Sequence, residues 1–561
     1  MSGHKKDDKS PELVFLPLGG VGEIGMNLYA YGFGSEYNRQ WLVVDLGISF
    51  PSDLEPGVDV ILPDTKFLED EIDNIAGIII THAHEDHYGA IGDLWPRLEA
   101  PIYATPFTCG LLKAKLQEYD VIDDIDLHEV KPKSRFDVGP FNIELVNMAH
   151  SIPEANGLVI RTEAGTVFHS GDWKLDDNPG TGNLTDEKRL KELGDEGIDF
   201  LVCDSTNALS EGRSGSEAEV EEALKEIFLK AENRIAVTTF ASNVARLKTV
   251  ADAAKAADRH ICVVGRAMQR TIQVAKETGY LDEKMEFLSE EDFGYFPRNK
   301  VVALCTGSQG ENRAAMARIA NDQHPQITLS QGDLVVYSSK TIPGNEVFVS
   351  RVHNSLAAQG VDIITDSEAR VHVSGHPRKD ELKCLYEWLR PKGMAPMHGE
   401  ERHIQAHEKF ARSLGITNTV IARNGEMARL LPGKAEVIDD APSGRLFRDG
   451  DLIITEEDPS IRERRKLSYT GVVAVSIVLG RNGDIIADPD LVTVGLPLED
   501  DEGVPMEELL IEEVLGVLKS IPRARRKDFD LVAEASRRGV RGAVNRIWGK
   551  KPVCEVMVAV I

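Results

Sequence analysis

The sequence predicts an α/β chain made of an αββα sandwich, a parallel α/β domain and a small α+β domain. Three observations predict it. Short apolar strands alternate with helices through about residue 210, with polar turns after each strand. From about residue 216 the alternation of helix and strand becomes regular, the texture of a parallel sheet. After about residue 469 a separate β-β-α-α-β pattern closes the chain. At 561 residues the chain has room for three to four domains. Its 42% hydrophobic and 28% charged shares read as soluble and globular.

Residues 1–10, Met1-Ser2-Gly3-His4-Lys5-Lys6 and onward, have no apolar core. They read as a disordered tail and not as a signal peptide. Next, Gly20-Val21-Gly22-Glu23-Ile24-Gly25 imitates a dinucleotide fingerprint, with Asp45 placed as a ribose ligand would be. A true fingerprint opens a helix. Here Met26-Asn27-Leu28-Tyr29-Ala30-Tyr31-Gly32 reads as a strand, so we expect a glycine turn in an antiparallel sheet. Strands follow at Trp41–Asp45, Ile78–Ile80, Ile102–Ala104, Ile143–Asn147, Val167–His169 and Phe200–Cys203.

The regular region predicts helices over 217–231, 243–257, 267–278, 312–320 and 344–358. Between them lie strands Ile235–Thr239, Ile261–Val264, Val301–Cys305, Thr328–Leu329 and Leu334–Tyr337. A proline- and charge-rich stretch at 441–468 reads as a linker. In the last domain Val472–Leu479, Leu491–Val494 and Val553–Ile561 read as strands, and 506–520 and 528–546 as helices. The second half of that domain is basic, from Arg523 to Lys551; it reads as a solvated face or, with the same weight between them, as an RNA contact or a subunit interface.

The net charge of −28 argues against a nucleic-acid partner on its face. The acidity is confined to the first 460 residues, since 461–561 carries sixteen basic and sixteen acidic side chains. Charge therefore leaves the partner open. No run reaches the roughly 18 apolar residues of a membrane span. Six scattered cysteines without a C-x-x-C pair suit reduced thiols in a cytoplasm.

The chemistry begins at Ile78-Ile79-Ile80-Thr81-His82-Ala83-His84-Glu85-Asp86-His87. An apolar strand delivers three imidazoles and a carboxylate in six positions. Neutral imidazole is the commonest metal ligand, and Asp adds a hard anionic oxygen. The bland alternative is a polar turn of surface histidines, for which a strand ending in packed imidazoles has no structural use.

This loop resembles the metal-binding loop of the metallo-β-lactamase superfamily. The resemblance implies further ligands, each after a strand, and His150, Asp172 and the distant His398 in Met397-His398-Gly399-Glu400 match them. Seven such ligands suit two divalent ions that share a carboxylate. His82, His84 and His150 would hold one, Asp86, His87 and His398 the other, and Asp172 would bridge. Zn²⁺ suits the imidazoles, and Mn²⁺ or Mg²⁺ suits the carboxylates. With His398 returning to the site, residues 11–215 and 359–440 become two parts of a metallo-β-lactamase domain, and 216–358 becomes an insertion.

An insertion there resembles the β-CASP branch, whose members act on nucleic acids. Asp204 in Val202-Cys203-Asp204, the run His372-Val373-Ser374-Gly375-His376, and His398 match that branch's three motifs. Together with Leu16–Asn27 and Thr239-Phe240-Ala241-Ser242-Asn243, the resemblance narrows to the bacterial ribonuclease J family, over essentially the whole chain. It implies 5′→3′ exonuclease action preferring 5′-monophosphate RNA, some endonuclease action, and a role in rRNA processing and mRNA decay. Ser242, His372, Ser374 and His376 offer donors for a terminal phosphate. Asp86 is expected to orient or deprotonate the attacking water, His372 to protonate the leaving 3′-oxygen, and Asp204 to orient the metal-site histidines. The resemblance also implies a structural Ca²⁺ at Asp45, Gly47 and Asp451; by residue type alone Asp45, Asp449 and Asp451 are solvated loop carboxylates. Expected partners are RNA, further copies of the chain as a homodimer or dimer of dimers, and RNA-processing proteins, with no membrane. Two rival readings are a small-molecule metallohydrolase and a non-catalytic RNA-binding scaffold.

Overall fold

The structure is a computed structural model that describes residues 11–119, 124–342 and 344–561. The tail at 1–10 lies outside the described residues. The chain divides into two compact units, one of residues up to Ser49 with Leu62–Arg445, the other of Phe50–Ile61 with Leu446–Ile561.

In the first unit two sheets face each other. One has eight strands in the order Glu436–Asp440, Glu426–Leu431, Glu12–Gly19, Leu28–Ser35, Asn38–Val44, Ile75–Ile79, Ile102–Ala104, Leu127–Glu129. The other has seven, in the order Asn418–Thr419, Gly393–Met397, Phe200–Asp204, Gly165–His169, Asn156–Thr162, Phe141–Asn147, Arg135–Val138. Their inner faces bury Phe15, Tyr31, Leu42, Phe141, Leu158 and Phe200 between them. A second core, around Trp173, Leu201 and Leu385, packs helices Glu187–Glu196 and Lys379–Leu389 on the outer face of the seven-stranded sheet. The glycine-rich turn behaves as expected: Glu12–Gly19 pairs antiparallel with Leu28–Ser35, and no helix follows Gly25.

Insertion is visible in strand pairing. Phe200–Asp204, before the inserted region, pairs in parallel with Gly393–Met397 after it. Between them stands a six-stranded, all-parallel sheet in the order Leu288–Ser289, His260–Val264, Val301–Cys305, Ile235–Thr238, Leu334–Tyr337, Asp362–Ile364. Its last strand lies beyond the expected boundary at 358. The strand expected at Thr328–Leu329 does not form. Ile327 and Leu329 are buried in the core, but nearby amides are claimed by side chains: Ile327 N–H by His324 Nδ1 at 3.2 Å and Ser330 N–H by Asp333 at 2.8 Å. Apolar burial was real there, and the ladder was not.

The 441–468 stretch is no linker. It holds an antiparallel hairpin, Arg445–Asp449 with Leu452–Thr455, and the start of helix Pro459–Thr470. Asp458 caps that helix by accepting from Ser460 N–H, and Pro459 takes its first position. The same charges and proline that suggest a linker make a helix start. The last domain has the expected β-β-α-α-β order. Strand Val472–Leu479 buries Val473, Val475, Ile477 and Leu479 against helices Met506–Ser520 and Phe529–Trp548. Among the described residues no helix is long and apolar enough to cross a membrane.

Candidate metal centre

All seven expected ligands follow the carboxyl ends of strands. Ile75–Ile79 leads into the His82–His87 turn, Phe141–Asn147 into His150, Gly165–His169 into Asp172 and Gly393–Met397 into His398. Because Gly165–His169, Phe200–Asp204 and Gly393–Met397 run in parallel, Asp172, Asp204 and His398 reach one edge. His398 adopts a left-handed φ of 51°, and its carbonyl is held by Ser205 N–H and the Thr206 hydroxyl at 3.1 Å.

The seven expected ligands converge as two groups. His84 Nδ1 lies 3.1 Å from His82 Nε2 and 3.1 Å from His150 Nε2. Asp172 Oδ2 stands 3.8 Å from both His82 and His150 Nε2 atoms. In the second group Asp172 Oδ2 is 3.2 Å from His87 Nε2 and 3.3 Å from His398 Nε2, and Asp86 Oδ2 is 3.7 and 3.8 Å from the same nitrogens. Ligands about 2.1 Å from a tetrahedral zinc ion stand roughly 3.4 Å apart. The spacing fits. So does the chemistry: Asp172 Oδ1 and His398 Nε2 are buried without a hydrogen-bond partner, which is costly for groups that have no other ligand.

Neighbouring groups aim these ligands. Asp45 Oδ2 lies 2.7 Å from His87 Nδ1, and its two oxygens also accept from Thr81 N–H at 2.8 Å and the Thr81 hydroxyl at 2.9 Å. His150 Nδ1 donates to the Gly375 carbonyl at 2.7 Å, which leaves Nε2 free to ligate. A Cβ on Gly375 would fall 2.6 Å from His150 Cε1, and one on Gly47 would fall 1.7 Å from the Asp86 carbonyl oxygen. Asn27 Nδ2 donates to the Asp86 carbonyl at 3.0 Å. Gly20, at φ 82°, leaves room for Asn27, whose Oδ1 would stand 2.3 Å from a Cβ there. The imitation fingerprint therefore serves the metal loop.

Asp45 is fully buried, which overturns its reading as a solvated carboxylate. Its oxygens already serve Thr81 and His87, so the Ca²⁺ expectation through Asp45, Gly47 and Asp451 gains no support at its first residue. Asp451 belongs to the other unit, where Asp449 pairs with Arg464 at 2.5 Å.

Burial pushes His82 and His150 well below the usual histidine range and His84 down to about 4, so all three are neutral, the form that ligates. Burial acts against charge on Asp172 too, but His398, His87 and His376 outweigh it and hold the carboxylate ionised. At His376 burial is outweighed by Asp204, 2.8 Å away, and by Asp172, which hold it up at about 9.

His372 is the opposite case. Burial, then the Arg246, Lys174 and Lys340 cations, push it down to about 3, and its Nδ1 is buried without a partner. That weighs against His372 as the group that protonates the leaving oxygen. A neutral imidazole among cations is a poor proton source. Asp204 holds a histidine beside the cluster, His376, rather than one of the seven expected ligands, with Oδ1 accepting from Thr206 N–H at 2.8 Å. Ser374 Oγ accepts from Asn207 Nδ2 at 2.7 Å and from His376 N–H at 3.2 Å. Ser242 directly precedes Asn243, the cap of helix Val244–Ala256. Asp45, Asn27, Asn207 and Gly375 contact the cluster or its neighbours, and sequence reasoning did not assign them to the metal site. Only the polar run Asp204-Ser205-Thr206-Asn207 after a strand offered a signal.

Comparison with known proteins follows the same outline. The family described as Beta-lactamase superfamily domain matches residues 41–237, and Ribonuclease J, beta-CASP domain matches 232–356. Zn-dependent metallo-hydrolase RNA specificity domain matches 364–421, and Ribonuclease J C-terminal domain matches 459–561. A relative named Ribonuclease J, from Sinorhizobium meliloti, is 52% identical over 555 residues, covering 99% of this chain and 98% of the relative. This chain belongs to the ribonuclease J family. Relatives of the same name from Corynebacterium glutamicum and Mycolicibacterium smegmatis are 39% and 38% identical, each over 96% of this chain and over 75% and 95% of their own lengths. A solved structure titled as a protein of unknown function from Enterococcus faecalis V583 shares the fold at a TM-score of 0.51 and 15% identity, over 74% of this chain and 99% of that one. Membership of the ribonuclease J family, with its clustered ligands, makes the chain a metal-dependent hydrolytic ribonuclease.

Proposed function

We propose that this chain degrades RNA from the 5′ end, prefers a 5′-monophosphate, and also cleaves internally, in RNA maturation and mRNA decay within the cytoplasm. The observation that carries the reading is the His372–His376 loop. It sets hydroxyl and imidazole donors beside the metal ligands, with its Gly375 carbonyl on His150 Nδ1 and its His376 Nδ1 on Asp204.

His82, His84 and His150 would hold one divalent ion and Asp86, His87 and His398 a second, with Asp172 shared. When bound, such ions supply an activated water and stabilise charge on the transferring phosphoryl group. Five imidazoles favour Zn²⁺, with Mn²⁺ or Mg²⁺ as the alternative the carboxylates admit. Asp86 is about one-third exposed, the most open side chain of its group, and orients the attacking water. His376, which keeps a proton through Asp204, is assigned the proton donor to the leaving 3′-oxygen. Ser242, Ser374 and neutral His372 donate to the terminal phosphate of the substrate. The product bears a new 5′-phosphate and enters the next round.

The outer face of the last domain's sheet exposes Val492, Val494 and Met557, which we assign to contact with a second copy, giving a homodimer or dimer of dimers. RNA-processing proteins are further expected partners. The zinc-loaded protein should be assayed on the same RNA with a 5′-triphosphate, 5′-monophosphate or 5′-hydroxyl end, and on a thioester. Fast stepwise loss of nucleotides from the monophosphate form is expected. Equal rates on all three ends would remove the end preference, and thioester turnover without RNA cleavage would favour the small-molecule hydrolase. Loss of RNA cleavage together with retained RNA binding would favour the scaffold.

A further inference from the structure

Behind the metal centre lies a cluster of charges that ligation does not use. Lys174 and Arg246 are both fully buried, and Asp176 and Glu217 are nearly so. Lys174 Nζ stands 2.7 Å from Asp176 Oδ2 and 3.9 Å from Glu217 Oε1. Glu217 N–H donates to Asp176 Oδ2 at 3.0 Å. Arg246 completes the chain, with Nη2 at 2.9 and 3.2 Å from the two Glu217 oxygens. Its Nη1 donates to the Val371 carbonyl at 2.8 Å and to Ser338 Oγ at 2.6 Å, and that hydroxyl itself donates to Val371 at 2.7 Å.

Both ends of this network are tied to function. Lys174 lies two residues beyond Asp172, and its N–H donates to the Ala149 carbonyl, next to His150, at 2.8 Å. Val371 directly precedes His372. Arg246 and Ser338 belong to the inserted domain, on helix Val244–Ala256 and just after strand Leu334–Tyr337. Two cations and two anions balance, which suits burial; removing one member would strand a charge. A balanced buried network contributes little net stability compared with apolar packing, but it holds its members to one geometry.

We infer that Arg246 is a positioning residue that holds the Val371–His372 start of the loop at a set distance from the metal ligands, and so determines preference for a 5′-phosphorylated end. This rests on the 5′-monophosphate reading above. Internal cleavage needs the metal centre and His376 but not the end pocket; Asp204 holds His376 and the Gly375 carbonyl meets His150, while Arg246 holds only the Val371 end, so Arg246 should matter for one and little for the other.

The test uses the full chain loaded with zinc. Arg246→Met combined with Glu217→Gln removes one cation and one anion and keeps the balance. Ser338→Ala removes one donor to Val371 without touching charge, and serves if the double variant does not fold. Substrates are one linear RNA with a 5′-monophosphate or a 5′-hydroxyl, and a circular RNA with no end. We expect the kcat/KM ratio of monophosphate to hydroxyl RNA to fall about tenfold in the double variant, chiefly through KM, and by a smaller factor in Ser338→Ala. Arg246→Lys, which keeps the charge, should recover part of the ratio, and circular RNA cleavage and zinc content should hold. Equal losses on all three RNAs would overturn the inference, as would an unchanged ratio in both folded variants. Ser374→Ala separates the two claims: if it leaves the ratio untouched, the 5′-monophosphate reading itself fails.

Discussion

Asp172 carries the heaviest load of any single residue. Its Oδ2 lies within 3.8 Å of ring nitrogens from His82, His87, His150, His376 and His398. A carboxylate so placed could be shared by two ions, and its neighbours His87 and His150 are held by Asp45 and Gly375. We expect Asp172→Ala and His84→Ala to abolish RNA cleavage, with the far-UV circular dichroism spectrum unchanged. Turnover at the native rate in saturating metal would refute the two-ion reading. His398→Ala should lower bound zinc from two ions to about one per chain by elemental analysis, with activity falling in parallel. Ser374→Ala should cost roughly 1.5–3 kcal/mol of transition-state binding for 5′-monophosphate RNA, a loss of about 10- to 150-fold, and much less for internal cleavage. At this scale the metal motif was legible because four ligands sit within six positions. The roles of His372 and His376 were not. Burial and surrounding charge decide which imidazole holds a proton, and neither can be read from two histidines that flank a Ser-Gly turn.

Among the elements, strand Phe141–Asn147 shows how the sheet that carries His150 is braced. Glu144 accepts from Arg189 Nε at 2.6 Å, on helix Glu187–Glu196, and from Arg161 Nη2 at 2.7 Å, on the neighbouring strand. Burial would raise the Glu144 carboxyl, but Arg189 and Arg161 outweigh it and hold it below the usual range. A depressed carboxylate contributes stability that is fully present above its unfolded value, about 4.3, and is lost as pH falls through the folded value. Glu144→Gln should therefore cost about 1–3 kcal/mol at pH 7. Urea unfolding of both proteins should show that difference at pH 7 and a smaller one at pH 3. An equal difference at both pH values would mean that packing, not charge, is lost. Element types were mostly readable because apolar periods differ between strands and helices. They failed at Thr328–Leu329 and at 441–468, where side-chain acceptors and helix caps decided where the backbone hydrogen bonds went.

For the whole molecule, the return of the chain matters most. Strand Gly393–Met397 must pair with Phe200–Asp204 before His398 can meet Asp172, so the metal centre is complete only when the entire first unit has folded. The last domain contributes no ligand, yet has its own core and an exposed apolar sheet face. We expect deletion of residues 471–561 to shift the mass seen by light scattering toward the monomer and to slow cleavage of long RNA more than of short RNA. An unchanged mass together with unchanged cleavage would leave the domain without either role.

Local sequence was sufficient for the strand that ends in His82, His84, Asp86 and His87, for the alternating apolar faces, and for the order of the last domain. These depend on neighbours within a few residues, which the chain itself supplies. Tertiary structure decided that Asp45 aims His87 and is not a solvated carboxylate, that Asp204 holds His376, that Gly375 must lack a side chain beside His150, and that Arg246 reaches Val371 across 125 residues. Each of these is a contact between segments far apart in sequence, and each depends on burial, which strips away water and lets one nearby charge set another group's protonation.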